Sequence, residues 1–200
     1  ALGSSRALTQ VNLSDCAIGC AGAVELANYF EYNHGVAVLD LSWNHIRARG
    51  GEALAKCLAS NQALTDFDLS WNGIGQLVID ADGDPTQPGA EQMGGAIADN
   101  TNLHRLDLAH NRIEEIGAFV IADGMDRNKT ITQLVMDGNP VGQEGGRNLL
   151  RAIRELGDLR DISIRDCQMT SSDKKMLDFD PSKPFGEYTL DLNKPFEKAT

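Results

Sequence analysis

Long apolar runs are missing from this sequence of 200 residues. No stretch approaches the roughly 18 apolar residues that a transmembrane helix requires, and the N-terminus lacks the charged, apolar and small-residue layout of a signal peptide. The sequence therefore predicts no membrane partner and a cytoplasmic location. Its first residues, ALGSSR, include no initiating methionine, which is compatible with a longer chain or a larger assembly.

Basic residues are also scarce. The chain has 18 Lys and Arg against 29 Asp and Glu, which gives a formal net charge of -11. This charge repels phosphate backbones and anionic lipids, so the composition argues against a nucleic-acid partner. A basic protein surface is the partner that such a charge would attract.

Cysteine is rare, with Cys16, Cys20, Cys57 and Cys167 as the only four. They are too few for a disulfide scaffold of this size, and they lack the paired CxxC spacing of zinc sites. The cysteine content therefore favours a reducing, intracellular compartment.

Enzyme motifs are absent as well. The sequence contains no GxxxxGK[ST], HExxH or GxSxG pattern, and no GxGxxG where a strand meets a helix. The two histidines that lie nearest in sequence, His104 and His110, would be about 20 Å apart in an extended segment, too far to bind one ion together. We therefore expect no catalytic residue, no cofactor and no metal site.

What the sequence does contain is a repeat. Six segments align, and each matches LxxLxLxx(N/C)x(I/V/M), where the complete copies continue with three residues, a glycine and a helical pattern. Their starts are spaced by 28, 28, 39, 28 and 28 residues, at positions 8, 36, 64, 103, 131 and 159.

The pattern predicts one structural unit per repeat. Apolar residues alternate as in a short strand with one buried face, and the glycine is expected to open a helix. At the turn between them, Asn44, Asn72, Asn111 and Asn139 can satisfy buried backbone groups, with Cys16 and Cys167 in the terminal copies. No unit can cover its own apolar face. We therefore predict an α/β solenoid of about six repeats, with parallel strands on the concave face and helices on the convex face.

These repeats resemble the leucine-rich repeat family, specifically the 28-residue class of ribonuclease inhibitor, Ran GTPase-activating proteins and NOD-like receptors. The resemblance implies a horseshoe-shaped, non-enzymatic protein-interaction or scaffold module. A RanGAP-like GTPase-activating function is the alternative, although no residue of this chain matches a catalytic motif for it. The repeat class alone does not carry function.

The solenoid is expected to span residues 1–170, followed by a capping segment or tail over 171–200. Within that segment YTLDL alternates like a strand, and apolar residues that could cover the last repeat are Met176, Leu177, Phe179, Phe185, Tyr188, Leu190, Leu192 and Phe196. The stretch FDPSKPFGEYTLDL resembles a tail that follows leucine-rich repeats in proteins of flagellated protists and algae. That resemblance implies a flagellar or cytoskeletal location within the cytoplasm.

Two rows of side chains are predicted on the concave face. Asp40, Asp68 and Asp107 occupy one position in three successive repeats, and Trp43, Trp71 and His110 occupy another. Together with Asp66 and Arg105 they form the predicted partner-binding residues, because Trp is enriched in interface hot spots and can bind cations. The alternative is that the aspartates only repeat a family consensus and that the indole rings fold over the strand ends.

The third repeat carries eleven extra residues, at about 75–88, which include Asp80, Asp82 and Asp84. The window from Asp80 to Glu91 looks like a calcium loop, and a calcium-responsive module is a second alternative function. An EF-hand loop needs glycine at its sixth position, however, where this chain has Pro85. Glu91 also matches Glu52 of the preceding repeat. We therefore interpret the three aspartates as an acidic contact loop on one rim of the solenoid.

Overall fold

The computed structural model describes residues 8–155, 161–167 and 189–191. Strands and helices alternate along this part of the chain, with one extra pair of strands after β3. The strands are β1 Gln10–Asn12, β2 Val38–Asp40, β3 Asp66–Asp68, β4 Val78–Ile79, β5 Pro85–Thr86, β6 Arg105–Asp107, β7 Gln133–Val135, β8 Asp161–Ser163 and β9 Thr189–Asp191. The helices are α1 Cys20–Phe30, α2 Ala48–Ser60, α3 Pro88–Asp99, α4 Glu115–Arg127 and α5 Gly142–Glu155.

One strand from each repeat enters a single parallel sheet, in the order β1-β2-β3-β6-β7-β8. Equivalent residues of successive repeats lie opposite each other, so that Leu39 pairs with Phe67 and Phe67 with Leu106. The eleven extra residues do not shift this register, because they leave the sheet as the separate hairpin β4-β5. The predicted α/β solenoid is therefore confirmed.

The core lies between the sheet and the row of helices. The middle residue of each strand points inward, and Leu39, Phe67, Leu106 and Leu134 are fully buried. The helices contribute the facing layer of the core through Leu54, Leu58, Met93, Ile97, Ile121 and Met125. Within the described residues, no helix is both long and apolar enough to cross a membrane.

The repeated asparagines hold the turns after the strands, as predicted. The fully buried Asn139 donates from Nδ2 to the carbonyls of Leu108 and Met136, each at 2.8 Å. Its Oδ1 accepts from the backbone N–H groups of Asn111 (2.9 Å) and Ile113 (3.0 Å). One amide thus satisfies backbone groups of two repeats. In the last repeat the Cys167 thiol replaces it and donates to the Met136 carbonyl at 3.3 Å.

A second asparagine ladder, which the sequence reading missed, runs along the other ends of the helices. Asn33, Asn61, Asn100 and Asn128 are all buried after a helix. Asn61 donates to the carbonyls of Phe30 (2.7 Å) and Asn33 (3.2 Å) of the previous repeat, and accepts from two N–H groups of its own turn. The positions follow the repeat spacing, so the signal was present in the sequence.

The glycines predicted to open the helices have a different role. The helices begin one to three residues before Gly22, Gly50, Gly89, Gly117 and Gly145. A Cβ at Gly117 would lie 2.6 Å from Cβ of Ala90, so the missing side chain lets one helix approach the preceding repeat. These glycines are therefore packing positions in the first helical turn.

The C-terminal strand β9 extends the sheet in the opposite direction. It pairs antiparallel with β8, with Leu190 opposite Ile162. The strand lies within the YTLDL stretch whose alternation predicts a strand. The other apolar residues of the predicted cap lie outside the described residues, and the division at residue 170 stays a prediction.

Two adjacent glycines of α3 provide the first prediction. A Cβ at Gly94 would overlap the backbone carbonyl of Val120 in α4, whereas a Cβ at Gly95 would meet only Nε2 of Gln92, at 3.9 Å. We expect Gly94→Ala to lower the free energy of unfolding by about 1–3 kcal/mol through overpacking. Gly95→Ala should raise it by about 0.5–1 kcal/mol through helix propensity. Urea unfolding followed by circular dichroism measures both, and equal effects would contradict this packing.

The asparagine turn provides the second prediction. Asn139→Ala would deprive two buried N–H groups and two carbonyls of a partner, so we expect a loss of about 2–4 kcal/mol in unfolding free energy. Asn139→Cys should lower the unfolding free energy by less than Asn139→Ala does, because Cys167 occupies the equivalent place in the last repeat and its thiol donates to a carbonyl there. The test is to compare the urea midpoints of the two variants, provided that the dependence of the unfolding free energy on urea concentration has the same slope in both. A larger loss for the cysteine variant would show that the hydrogen bonds are not the cause.

Candidate functional site

The residue before the turn asparagine, or before the cysteine that replaces it in the first and last repeats, adopts a left-handed backbone. Gly138 at this position has a φ of 66°, and the other five residues have φ between 52° and 55°: Asp15, Trp43, Trp71, His110 and Asp166. In each of the first five repeats, the backbone N–H of this left-handed residue donates to a carbonyl of the next repeat. The N–H of Trp43, for example, donates to the carbonyl of Ser70 at 3.0 Å. Left-handed backbone costs a residue with a side chain roughly 1–2 kcal/mol. Bulky aromatic residues at such positions are outliers that point to function.

Three of these side chains form an aromatic ladder, made of Trp43, Trp71 and His110. The Trp43 and Trp71 rings stack with centroids 4.2 Å apart at 11°, and the Trp71 and His110 rings stack at 3.8 Å and 20°. Stacked pairs of this kind contribute about 0.5–1.5 kcal/mol each. The ladder stops at Gly138, because a Cβ there would overlap the His110 ring.

The ladder is accessible to a partner. Trp43 is 55% exposed and Trp71 is 42% exposed, although both are stacked. The rings lie in the turns that follow β2 and β3, and the strand residues themselves end at Asp40 and Asp68. The first and third side chains of each strand point away from the core, and we call the surface that they form the open face. The ladder therefore borders the open face of the sheet.

The three predicted aspartates of the open face share a structural task. In each of them, one carboxylate oxygen accepts a hydrogen bond from the backbone N–H of the residue two positions later. Ser42 donates to Asp40 (2.9 Å), Ser70 to Asp68 (2.9 Å) and Ala109 to Asp107 (3.1 Å). These bonds help to set the left-handed turn that follows. The recurrence of aspartate at this position in successive repeats thus has a physical reason. Only the second carboxylate oxygen of each aspartate is left for contacts outside the turn.

The second oxygens differ in their surroundings. Asp40 accepts from the amide of Asn12 at 2.8 Å, and Asp107 pairs with Arg105 at 2.9 Å. Arg105 also lies 3.9 Å from Asp68. Asp107 is only 8% exposed. Burial raises the pKa of the Asp107 carboxyl and the Asp68 carboxylate adds to this, while the Ala109 N–H and Arg105 oppose it.

The charge of the open face is uneven. Asp40, Asp66 and Asp68 are half-buried, and Arg105 is the first basic residue on the open face in the described part of the chain. The second and third repeats therefore present carboxylates beside Trp43 and Trp71. Arg105 and Asp107 are paired with each other in the next repeat, which lowers their availability to a partner.

Most of the extra residues form a hairpin over residues 77–86, which we call the insertion hairpin. At its tip, the backbone N–H of Asp80 donates to the carbonyl of Asp84 at 3.0 Å, and Gly83 has a φ of 89°. One Asp80 oxygen accepts from the N–H groups of Asp82 (3.0 Å) and Asp84 (2.9 Å). Asp80 thus builds the tip, and the exposed Asp82 and Asp84 carry its outward charge.

The comparisons with known proteins agree with this architecture. A family profile described as Leucine Rich repeat matches residues 4–27, 33–55, 60–76 and 99–122. The chain is a leucine-rich repeat protein.

One solved structure supports the same fold. The leiomodin-1 actin-binding site 2 structure is 21% identical, has a TM-score of 0.58, and is matched over 74% of this chain and 79% of that chain. A protein from Bacteroides fragilis is 16% identical over 83% of this chain and 59% of that chain, with a TM-score of 0.33. No match was found among curated protein sequences. Leucine-rich repeats typically serve non-enzymatic protein–protein interaction through the extended surface that their strands present.

The buried thiols of this leucine-rich repeat protein are poorly suited to chemistry. Burial raises the pKa of Cys57 to about 12 and that of Cys167 to about 12, so neither thiol forms the reactive thiolate near neutral pH. Among the residues that the structure describes, no group of three or more His, Cys, Asp or Glu side chains is arranged to hold a metal ion.

Sequence reasoning placed the two tryptophans next to each other but missed how the repeat holds them. The left-handed position was not identified, although Gly138 occupies it in the fifth repeat and glycine is the residue that positive φ favours. The completely buried Gln87, whose side-chain amide donates to the carbonyls of Gly75 and Arg112 at the base of the insertion hairpin, was also missed. Nothing in the repeat pattern marks it, because Gln87 lies in the only repeat that has the extra residues.

The end of the aromatic ladder provides a third prediction. Gly138→Ala would strain a left-handed residue and force a Cβ into the His110 ring, so we expect a loss of about 2–4 kcal/mol in unfolding free energy. Gly83→Ala is the matched control, because Gly83 also has positive φ but a Cβ there would meet nothing within 4 Å. We expect the control to lose only the cost of the left-handed backbone, about 1–2 kcal/mol. Urea unfolding with tryptophan fluorescence distinguishes them, and equal losses would mean that the His110 contact contributes nothing.

Proposed function

We propose that this chain is a non-enzymatic protein-interaction module that binds a protein partner through the aromatic ladder and the neighbouring acidic open face. The observation that carries the proposal is the stacked pair of half-exposed indoles, held on left-handed backbone. A fold that only needed to close its turns could use Asp or Gly there, as the first, fifth and sixth repeats do. Large exposed aromatic groups at strained positions favour recognition.

The charge beside the ladder favours a basic partner. Asp40, Asp66 and Asp68 lie on the two strands that precede the tryptophan turns, and the net charge of the chain is -11. A Lys or Arg side chain can contact an indole face by a cation–π interaction while its charge meets a carboxylate. In this proposal Asp40, Asp66, Asp68, Trp43 and Trp71 form the contact, and His110 supports Trp71. Arg105 and Asp107 stabilise the sheet beside them.

We also propose a repeat class and a cellular location for this protein. The spacing of 28 residues supports the class of ribonuclease inhibitor, and the cysteine content supports a cytoplasmic location. The leiomodin-1 structure bears the name of an actin-binding site, so actin is one defined partner to test. That link is an analogy of fold, and a fold can carry many functions.

Replacing the two indoles tests the proposal. We choose Trp43→Asn with Trp71→Asn, because asparagine tolerates left-handed backbone and the fold should therefore persist. Tyr32→Asn is the matched control, since Tyr32 is an aromatic residue 75% exposed outside the ladder. Immobilised protein would capture partners from cell extract, with actin co-sedimentation as a separate arm. We expect the double variant to weaken the binding of the captured partner at least about 30-fold, as for hot-spot residues. Equal capture by all three proteins, with unchanged thermal unfolding, would refute the proposed site.

A further inference from the structure

The insertion hairpin carries a second exposed surface, which is apolar. Leu77, Val78 and Ile79 are 41%, 42% and 64% exposed, and they are consecutive. Val78 and Ile79 form β4, and Leu77 directly precedes it. Consecutive residues of a strand point to opposite faces, so a hairpin that only covered its own base would leave one of the two strand residues buried. An exposed apolar strand edge is normally avoided, because it can pair with another chain. Its presence here therefore requires a reason.

The edge of β4 is free for pairing. The N–H of Asp80 donates to Asp84, and Ile79 lies opposite Pro85. Hydrogen-bonded and non-bonded pairs alternate along an antiparallel ladder, so the N–H and C=O of Ile79 point away from β5. In the described part of the chain the hairpin sheet has only these two strands, which leaves that side of β4 without a neighbour. On β5 the residue facing outward is Pro85, which has no N–H to offer.

The hairpin is held firmly at its base. Gln87 follows β5 and is completely buried, and its side-chain amide donates to the carbonyls of Gly75 and Arg112. Its Oε1 accepts from the N–H groups of Glu114 (3.1 Å) and Gly117 (3.0 Å). One side chain thus ties both ends of the insertion to the start of α4. A fixed edge loses less conformational entropy on binding than a flexible loop would.

Charge indicates what would pair with this edge. Residues 75–91 contain Asp80, Asp82, Asp84 and Glu91 but no Lys or Arg. A partner strand that lies along β4 would therefore meet an acidic hairpin, whose tip carries the exposed Asp82 and Asp84. Basic side chains suit that position, and apolar side chains suit Leu77, Val78 and Ile79. A second copy of this chain fits poorly, because each copy has a net charge of -11.

We propose that β4 is a strand-addition site for an extended segment of a protein partner in which apolar and basic residues alternate. Backbone hydrogen bonds to Ile79 supply the pairing, and the apolar and acidic side chains supply the selectivity. The site rests on the proposed function only in that the ligand is a protein. It uses a surface separate from the aromatic ladder.

A substitution that removes one backbone donor tests the pairing. Ile79→Pro deletes the outward N–H but no hydrogen bond within the hairpin, whereas the control Ile79→Ala shortens the side chain and keeps the N–H. The probe is a short synthetic peptide of alternating lysine and valine, with fluorescence anisotropy as the readout. We expect the wild-type chain to bind it and Ile79→Pro to bind about 3- to 10-fold more weakly than Ile79→Ala, which corresponds to one lost hydrogen bond. No peptide binding, or equal binding by the two variants, would overturn the proposal.

Charge and self-association provide the second arm of the test. Asp82→Asn with Asp84→Asn should weaken peptide binding and reduce its dependence on salt, and a peptide with glutamate in place of lysine should not bind. If sedimentation shows a dimer that Ile79→Pro abolishes, the occupant is a second copy and the proposal is overturned. Because the ladder also attracts lysine, both Ile79 variants are repeated in the ladder variant Trp43→Asn with Trp71→Asn, where peptide binding that still falls on Ile79→Pro lies at the hairpin. Failure at the ladder is therefore distinguishable from failure at the hairpin.

Discussion

The asparagines in the turns after the four inner strands β2, β3, β6 and β7 set the geometry on which the rest of the molecule depends. Each inner amide bonds to backbone groups of its own repeat and of the repeat before it, as Asn44 does with Leu41, Leu13 and Ile18. These bonds are short, directional and shielded from water, so the spacing between repeats can vary little. The apolar layers supply most of the driving force for stacking, whereas the asparagines fix the turn that follows each strand.

The aromatic ladder follows from that turn. Since the residue before each asparagine is left-handed in every repeat, its side chains emerge at the same place in successive repeats. The strand spacing of roughly 4.8 Å lies close to the separation at which aromatic rings stack. Trp43, Trp71 and His110 therefore form a stack without any further device. A surface of rigid rings results, because each ring limits the movement of the next.

The insertion hairpin shows how a solenoid can gain a second surface without losing its repeat. The extra residues leave between strand and helix, and Gln87 restores the path of the chain before α3 begins at Pro88. The register between β3 and β6 is the same as between the other strands. The two surfaces differ in their physical character. The ladder presents aromatic faces beside carboxylates, whereas the hairpin presents a backbone edge with aliphatic side chains.

The sequence by itself determined the architecture, because a pattern repeated six times reports the same burial and the same turn in each copy. It indicated the parallel strands, the asparagine turns and the alignment of Trp43 with Trp71 for that reason. Only the tertiary structure decided the roles of single side chains. Asp107 proved to be buried against Arg105, Asp80 proved to build the hairpin tip, and Gln87 proved to anchor it. These roles arise from contacts between residues that the repeat does not relate to each other, and a periodic pattern carries no information about such contacts.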